Sequence, residues 1–158
     1  MQDDQLRVKI HGNFSECHCG SAAVWTRLRQ LVEERSDLQL IDADGDYDCL
    51  IINGEGTMHD NSKRAIRILK KAKAAKRSGR RVYLLNSVWQ NMTRRIDIVK
   101  KLDGVCVREL VSFSNIKALC PTAKIATDLS YDLPIKISGK RGQLFQESGN
   151  PTEVMGGF

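Results

Sequence analysis

The sequence is poor in aromatic side chains and contains no long apolar run. Aromatic residues make up 6% of the 158 residues, which does not favour recognition of nucleic acid by base stacking. No apolar run approaches the roughly 20 residues of a membrane-spanning helix. The chain also starts Met-Gln-Asp-Asp-Gln, without the basic and then apolar pattern of a secretory signal. These absences predict a cytoplasmic protein with no transmembrane segment and disfavour a nucleic-acid partner.

The sequence also lacks the even number of cysteines that a disulfide framework would need. The five cysteines fit a reducing compartment better. Cys17 and Cys19 flank His18, with His11 upstream, but adjacent side chains point apart, whereas zinc ligands usually stand two to four residues apart in pairs. We therefore expect no metal site, while a cysteine nucleophile with a histidine base remains open. The other three cysteines lie in apolar or helical segments and are interpreted as small core residues.

Acidic residues are absent from residues 63 to 81, which hold ten of the 25 Lys and Arg residues. The rest of the chain carries 15 basic and 19 acidic residues, so the net charge of +6 belongs to this one segment. Its basic side is interpreted as a solvated helix face. The functional alternatives are RNA, a polyanionic glycan or a membrane surface. The apolar stripe at helical spacing, predicted to face the core, consists of Ala65, Ile68, Leu69, Ala72 and Ala75.

Short apolar segments alternate with helical patterns along the chain. Its length suits one domain with a core and hardly two. The alternation predicts an α/β fold of the Rossmann-like three-layer α/β/α type, with a mostly parallel sheet and right-handed crossovers. Residues 1–134 are assigned to this lobe and residues 135–158, which have no periodicity, to a flexible tail or truncated linker. The predicted strands are 6–10, 38–41, 49–52, 82–85, 105–107 and 124–126, and the predicted helices are 21–32, 60–78, 93–102 and 109–119.

The stretch from residue 48 to residue 60 is the best candidate for a site. An apolar run breaks into two glycines flanking a carboxylate, and a helical pattern follows. Gly54 and Gly56 would allow a sharp turn close to a ligand, and a helix N-terminus favours an anion. The alternative is a purely structural turn, which would not need four different side-chain functions. Those four side chains are Asn53, Glu55, Thr57 and His59.

Polar residues follow nearly every predicted strand, at the edge where ligands bind in parallel sheets. Arg108 leaves a buried strand, where a guanidinium needs a carboxylate or a phosphate. Its partner could be internal, Glu109 or Asp128, or an anionic ligand. Glu55 and His59 form the best acid/base pair if Glu55 is desolvated. The segments expected at this edge are His11, 17–21, Asp42, 53–59, Asn86, Arg108 and Asp128.

Four ordered motifs resemble those of the polysaccharide pyruvyl transferase family. Residues 53–59, Asn-Gly-Glu-Gly-Thr-Met-His, are similar to its N-G-E-G-T-x-H segment, and residues 18–21, His-Cys-Gly-Ser, to its H-x-G-[SC] loop. Residues 86–91, Asn-Ser-Val-Trp-Gln-Asn, resemble its N-x-x-x-Q-N strand end. Residues 107–112 resemble its V-R-[DE]-x-x-S turn, and the aspartate of 127–129 follows as in the family. The resemblance covers roughly residues 6 to 134.

The resemblance implies two Rossmann-like lobes of the GT-B type, with the active site in the cleft between them. It implies a transferase without a cofactor, acting in exopolysaccharide biosynthesis by moving the carboxyvinyl group of phosphoenolpyruvate to a sugar hydroxyl of a surface glycan. By residue type and placement, Glu55 and His59 are the catalytic candidates for proton transfer and Arg108 is the candidate for binding the anion. The implied substrate-binding residues are His18, Gly20, Ser21, Asn53, Gly54, Gly56, Thr57, Asn86, Gln90 and Ser112.

The resemblance departs from the family after Pro134, because no second set of strands and helices follows. We therefore expect one lobe or a truncated product, whose activity would need a missing lobe or a second copy. Two alternatives stay open. The chain could be a non-catalytic lobe that binds an acidic partner through the basic helix of residues 63–81, or a glycosyltransferase-like lobe that uses a nucleotide sugar, since both donors are anions.

Overall fold

The computed structural model describes residues 5–12, 19–41 and 45–133, which form a six-stranded parallel sheet between helices. This confirms the predicted Rossmann-like three-layer α/β fold. None of the helices in these ranges has the length and apolar content that a membrane span needs. The strands are β1 (Leu6–His11), β2 (Leu38–Leu40), β3 (Cys49–Glu55), β4 (Arg81–Ser87), β5 (Gly104–Val107) and β6 (Lys124–Ile125). The helices are α1 (Cys19–Glu33), α2 (Lys63–Arg77), α3 (Ile96–Val99), α4 (Leu110–Lys117) and a 3₁₀ turn (Leu129–Asp132).

The strand order is β2-β1-β3-β4-β5-β6, and every pairing is parallel. The chain moves from β1 to β2 in one direction, passes back over β1 to β3, and then continues outward in the other direction. Right-handed crossovers therefore place α1 on one face of the sheet and α2, α3 and α4 on the other. The reversal leaves a switch point between β1 and β3, which is where parallel sheets of this type bind ligands.

Strand β3 is buried on both faces, as its apolar run predicts. Leu50 and Ile52 pack in the larger core beneath α2, whereas Cys49 joins Val8 and Val32 in a smaller core beneath α1. Burial raises the pKa of the Cys49 thiol to about 11, so this thiol stays protonated at neutral pH. Its position confirms the interpretation of Cys49 as a small core residue.

Helix α2 buries all five residues of the predicted apolar stripe. It begins at Lys63 and not at residue 60, because Asp60 and Asn61 adopt left-handed backbone conformations with φ of 47° and 52°. Ser62 caps it instead, since the Ser62 hydroxyl accepts a hydrogen bond from the Ala65 amide at 3.1 Å. The helix ends before Gly79, whose φ of 76° suits a glycine.

Helix α3 is much shorter than the predicted helix of residues 93–102. The backbone amides of Thr93 and Arg94 donate hydrogen bonds to Asn61 Oδ1 at 3.0 and 2.8 Å. Arg95 then adopts a left-handed φ of 60°. These contacts with a distant residue hold the segment in an irregular turn and delay the helix until Ile96. Helix α4 is also shorter than its predicted range, while the predicted tail of residues 135–158 lies outside the described residues.

Ion pairs link neighbouring segments at the amino edge of the sheet. Asp48 accepts hydrogen bonds from the Arg7 amide and from the Arg7 guanidinium, the latter at 2.8 and 3.0 Å. These bonds lower the pKa of Asp48 to about 2. Arg80 pairs with Asp46 at 2.7 Å and lies 4.2 Å from the centre of the Tyr47 ring. Arg7 and Arg80 are therefore paired with carboxylates of the same chain at this edge.

Replacing Gly54 with alanine should destabilise the fold. An alanine Cβ at this position would lie 2.5 Å from the Cβ of Ser87, which is fully buried, so a buried strand pair would have to shift. We expect Gly54→Ala to lower the free energy of unfolding by about 1–3 kcal/mol in denaturant titrations. Gly56→Ala is the matched control, because its Cβ would meet only Arg108 Nη2 at 3.8 Å. Equal losses in the two variants would contradict this explanation.

Candidate anion-binding site at the carboxyl edge of the sheet

A cavity of about 470 Å³ lies beyond the carboxyl ends of β3 and β5, next to the first turns of α1 and α2. Its volume is in the range of small-molecule sites, and it lies at the switch point of the sheet. Segments that are far apart in the sequence therefore meet here. The residues lining the cavity are Gly20, Ser21, Val24, Glu55, Gly56, Thr57, Arg64, Arg108, Asp128 and Ser130.

Glu55 occupies the centre of this site in a strained conformation. Its φ of 43° is uncommon for any residue other than glycine. Glu55 Oε2 accepts a hydrogen bond from the Ser21 hydroxyl at 2.9 Å, and Oε1 accepts one from Asn53 Nδ2 at 2.8 Å. These bonds fix the carboxylate at the cavity and tie the end of β3 to α1.

The first turn of α1 brings Gly20 and Ser21 to the cavity. Helix α1 begins at Cys19, so Ser21 lies inside the first turn, where its hydroxyl is used by Glu55. Gly20 and Ser21 both line the cavity, which places the N-terminus of a 15-residue helix beside it. Free amides and the helix dipole at such an end favour an anion.

Arg108 meets one of its two expected internal partners, Asp128. Arg108 Nη1 donates a hydrogen bond to Asp128 Oδ2, while Asp128 Oδ1 accepts from the backbone amide and the hydroxyl of Ser130 at 3.0 and 2.9 Å. Burial alone would raise the pKa of Asp128, but the bonds from Ser130 and the charge of Arg108 lower it below its ordinary value. Arg108 Nη2 lies over Gly56. No carboxylate among the described residues pairs with Nη2, so this nitrogen can bind an anion in the cavity.

Gln90 and Ser112 belong to a hydrogen-bond network around Glu109, the residue that follows Arg108. Gln90 Nε2 donates to Glu109 Oε1 at 2.6 Å, and the Ser112 hydroxyl donates to the same oxygen. The hydroxyl of Ser112 also accepts from the Trp89 amide at 2.6 Å. Hydrogen bonds from Ser112 and Gln90 lower the pKa of Glu109. Both residues were predicted to bind substrate, but neither lines the cavity, and their contacts hold the turn that carries Arg108.

Asn53 and Asn86 are buried behind the cavity wall. Asn86 Oδ1 accepts from the Leu129 amide at 3.1 Å and so fixes the 3₁₀ turn beside Asp128. Asn53 Oδ1 and Asn86 Nδ2 have no hydrogen-bond partner among the described residues. Gly54 also lies inside β3, where Ser87 fills the space that a side chain would need. Gly54 was predicted to lie beside a ligand, but in the structure it packs within the sheet and does not line the cavity.

His59 does not join Glu55 and Arg108 at the cavity. Its imidazole is half exposed, and Nδ1 lies 2.9 Å from Asp60 Oδ2, while its backbone forms a bridge with Gln90. The structure thus brings together two of the three predicted catalytic residues. The predicted substrate-binding residue His18 lies outside the described residues.

Four cavity residues were not predicted to bind a ligand, although one of them, Asp128, was expected at this edge as a partner of Arg108. Arg64 could have been proposed, since it is the second residue of the helix that follows the glycine loop. Ser130 and Val24 carry no such signal, because their positions depend on the packing of α1 and the 3₁₀ turn. In the described ranges, no group of three or more His, Cys, Asp and Glu side chains is suited to hold a metal ion.

Removing the Arg108 charge should raise the pKa of Asp128. The pKa of this carboxylate in the fold is below its ordinary value of 3.8, so its ionised form stabilises the protein above that pH and the contribution is lost as the pH falls. In Arg108→Gln, Asp128 stays buried but no longer has a positive charge beside it. Its stabilising contribution should therefore be lost at a higher pH than in the unsubstituted protein. NMR titration of the carboxyl groups measures the pKa of Asp128, and unfolding experiments at acid pH measure the loss of stability. Arg35→Gln removes an exposed pair with Asp37 and should leave Asp128 unchanged; an unchanged pKa in both variants would contradict the assignment.

Comparison with known proteins establishes the fold alone. No protein-family model matches the chain, and the comparison with curated proteins found no significant match. The fold resembles the crystal structure of a functionally uncharacterised protein from Klebsiella pneumoniae subsp. pneumoniae, with a TM-score of 0.65 and 20% sequence identity. The likeness covers 86% of this chain and 55% of that chain, so the present chain spans about half the length of that protein. The chain therefore has the parallel α/β architecture of a Rossmann-like domain.

Proposed function

We propose that this chain is one lobe of a polysaccharide pyruvyl transferase-like enzyme that acts in the cytoplasm on a surface glycan. The observation that carries the proposal is the meeting of Ser21, Glu55, Arg108 and Asp128 around one cavity. Each of these residues comes from a different segment that resembles a motif of the family. A parallel sheet alone brings its strand ends to this edge, and the resemblance adds that the side chains meeting there belong to the family's motifs.

The proposed reaction joins phosphoenolpyruvate to two hydroxyls of a sugar. The C3 methylene gains a proton and becomes a methyl group, while a first hydroxyl oxygen bonds to C2. The bond between C2 and the phosphate oxygen breaks, phosphate leaves, and a second hydroxyl oxygen bonds to C2. The products are a pyruvate ketal and inorganic phosphate, which takes the second hydroxyl proton. The site must therefore hold two anionic groups and accept a proton from a hydroxyl.

The cavity residues offer groups for these tasks. Arg108 Nη2, Arg64 and the N-terminus of α1 would hold the carboxylate and phosphate of the donor. Glu55 would accept the proton of the attacking hydroxyl, with its orientation fixed by Ser21. His59 could supply the methylene proton only to a substrate that extends past Thr57, because its imidazole lies outside the cavity lining.

Binding of phosphoenolpyruvate tests the proposal through two variants with opposite expected effects. Arg108→Gln removes a cation from the site and should weaken binding about tenfold or more. Glu55→Gln removes a negative charge facing the anion while keeping an oxygen for Ser21 or Asn53, so binding should be unchanged or tighter. Backbone amide shifts of Ser21, Gly56 and Arg108 during titration would measure these affinities.

The control variant is Arg35→Gln, which removes an exposed arginine paired with Asp37. It should leave the affinity unchanged. Absence of amide shifts at about 10 mM phosphoenolpyruvate, well above typical KM values, would overturn the proposal. Shifts caused by a nucleotide sugar and not by phosphoenolpyruvate would instead favour a glycosyltransferase-like lobe.

A further inference from the structure

Helix α2 presents an exposed surface of cations to solvent, which we call the basic face. The helix contains eight basic residues and no acidic residue. Its apolar stripe is buried against the sheet, so the opposite side carries the charge. The exposed cations of the basic face are Lys63, Arg64, Arg67, Lys70, Lys71 and Arg77.

The cations of the basic face lack carboxylate partners in the described part of the chain. On α2 the only ion pair there joins Lys76, which is not part of the face, to Asp103 at 2.7 Å. Helix α1 differs, because Arg27 pairs with Glu34 and Arg29 with Glu33. Unpaired like charges three or four positions apart repel one another on a helix. The face therefore differs from an ordinary surface of matched charges and is suited to an anionic partner.

The basic face is continuous with the cavity at the carboxyl edge of the sheet. Arg64 belongs to both, since it lines the cavity and is exposed on α2. From Arg64 to Arg77 the helix extends about 20 Å at ~1.5 Å per residue. Lys71 Nζ lies 3.3 Å from Nδ1 of His11 at the end of β1. Burial lowers the pKa of His11, and the charges of Lys71, Lys9 and Arg64 lower it further, which reflects a positive potential at this rim.

We infer that the acceptor is an acidic glycan, with one end in the cavity and the following sugar units along the basic face. This inference rests on the proposed function. From Lys63 to Lys71, exposed cations recur about once per helical turn, ~5.4 Å, which is comparable with the length of one sugar unit, so each of these turns can meet one carboxylate. Helix α2 has no aromatic residue and therefore offers no platform for stacked bases. A glycan fits this combination better than a nucleic acid.

An oligogalacturonate of about ten units, labelled at its reducing end, provides the test by fluorescence anisotropy without phosphoenolpyruvate. We expect it to bind with an affinity that falls as salt increases, as for other polyanions, while a neutral malto-oligosaccharide of equal length does not bind. Arg67→Gln/Lys70→Gln should weaken binding about tenfold, since each cation near an anionic surface contributes on this scale. The matched control Lys117→Gln/Lys124→Gln removes the same charge from exposed positions on α4 and β6 and should change affinity less than about twofold.

The imidazole of His11 gives a second readout. A carboxylate bound near Lys71 and Arg64 would offset the positive potential there, so the pKa of His11 should rise when the oligogalacturonate binds. Histidine NMR titration of the complex measures this change. An unchanged pKa together with equal weakening in the two double variants would show a general charge effect and overturn the inference.

The remaining outcomes separate this inference from the proposed function. Arg67 and Lys70 do not line the cavity, so their variant should still bind phosphoenolpyruvate. Donor binding without oligogalacturonate binding would overturn the glycan inference alone. An oligothymidylate of equal charge that binds more tightly than the oligogalacturonate would overturn it in favour of nucleic acid. Glycan binding without donor binding would overturn the proposed function and leave the basic face as a glycan-binding surface.

Discussion

The handedness of crossovers between parallel strands is the constraint from which the site follows. Because β1 leads to β2 on one side and β2 returns to β3 on the other, α1 and α2 must lie on opposite faces. Their first turns then flank the end of β3 from two sides. The crevice, its position and the two helix ends beside it all result from this reversal. No single side chain could produce or abolish the arrangement.

Within that frame, hydrogen bonds between distant segments set the geometry of the charged groups. Ser21 from α1, together with the neighbouring Asn53, holds the carboxylate of Glu55, whose backbone has an uncommon left-handed conformation. On the other side, Glu109 and Asp128 restrain the segments around Arg108. The carboxylate and the guanidinium are therefore oriented before any ligand arrives, and preorganisation of this kind lowers the cost of binding and reaction.

The features that depend on local pattern could be predicted from the sequence. The apolar run of β3 and the stripe of α2 are properties of neighbouring residues, and both are found where the periodicity places them. Features that depend on tertiary contacts could not. Asn61 binds amides more than 30 residues away and shortens α3, and Ser87 occupies the space beside Gly54. A sequence motif can identify such residues as unusual. Only the packing shows whether a residue supports the site or can contact a ligand.

The lengths of the outer strands have a consequence for how this molecule could associate. In the described residues, one edge of the sheet ends in the three residues of β2 and the other in the two residues of β6. Such short edges leave few unpaired amides and carbonyls for an added strand. Extension of the sheet along these two edges, from one molecule into another, is therefore disfavoured.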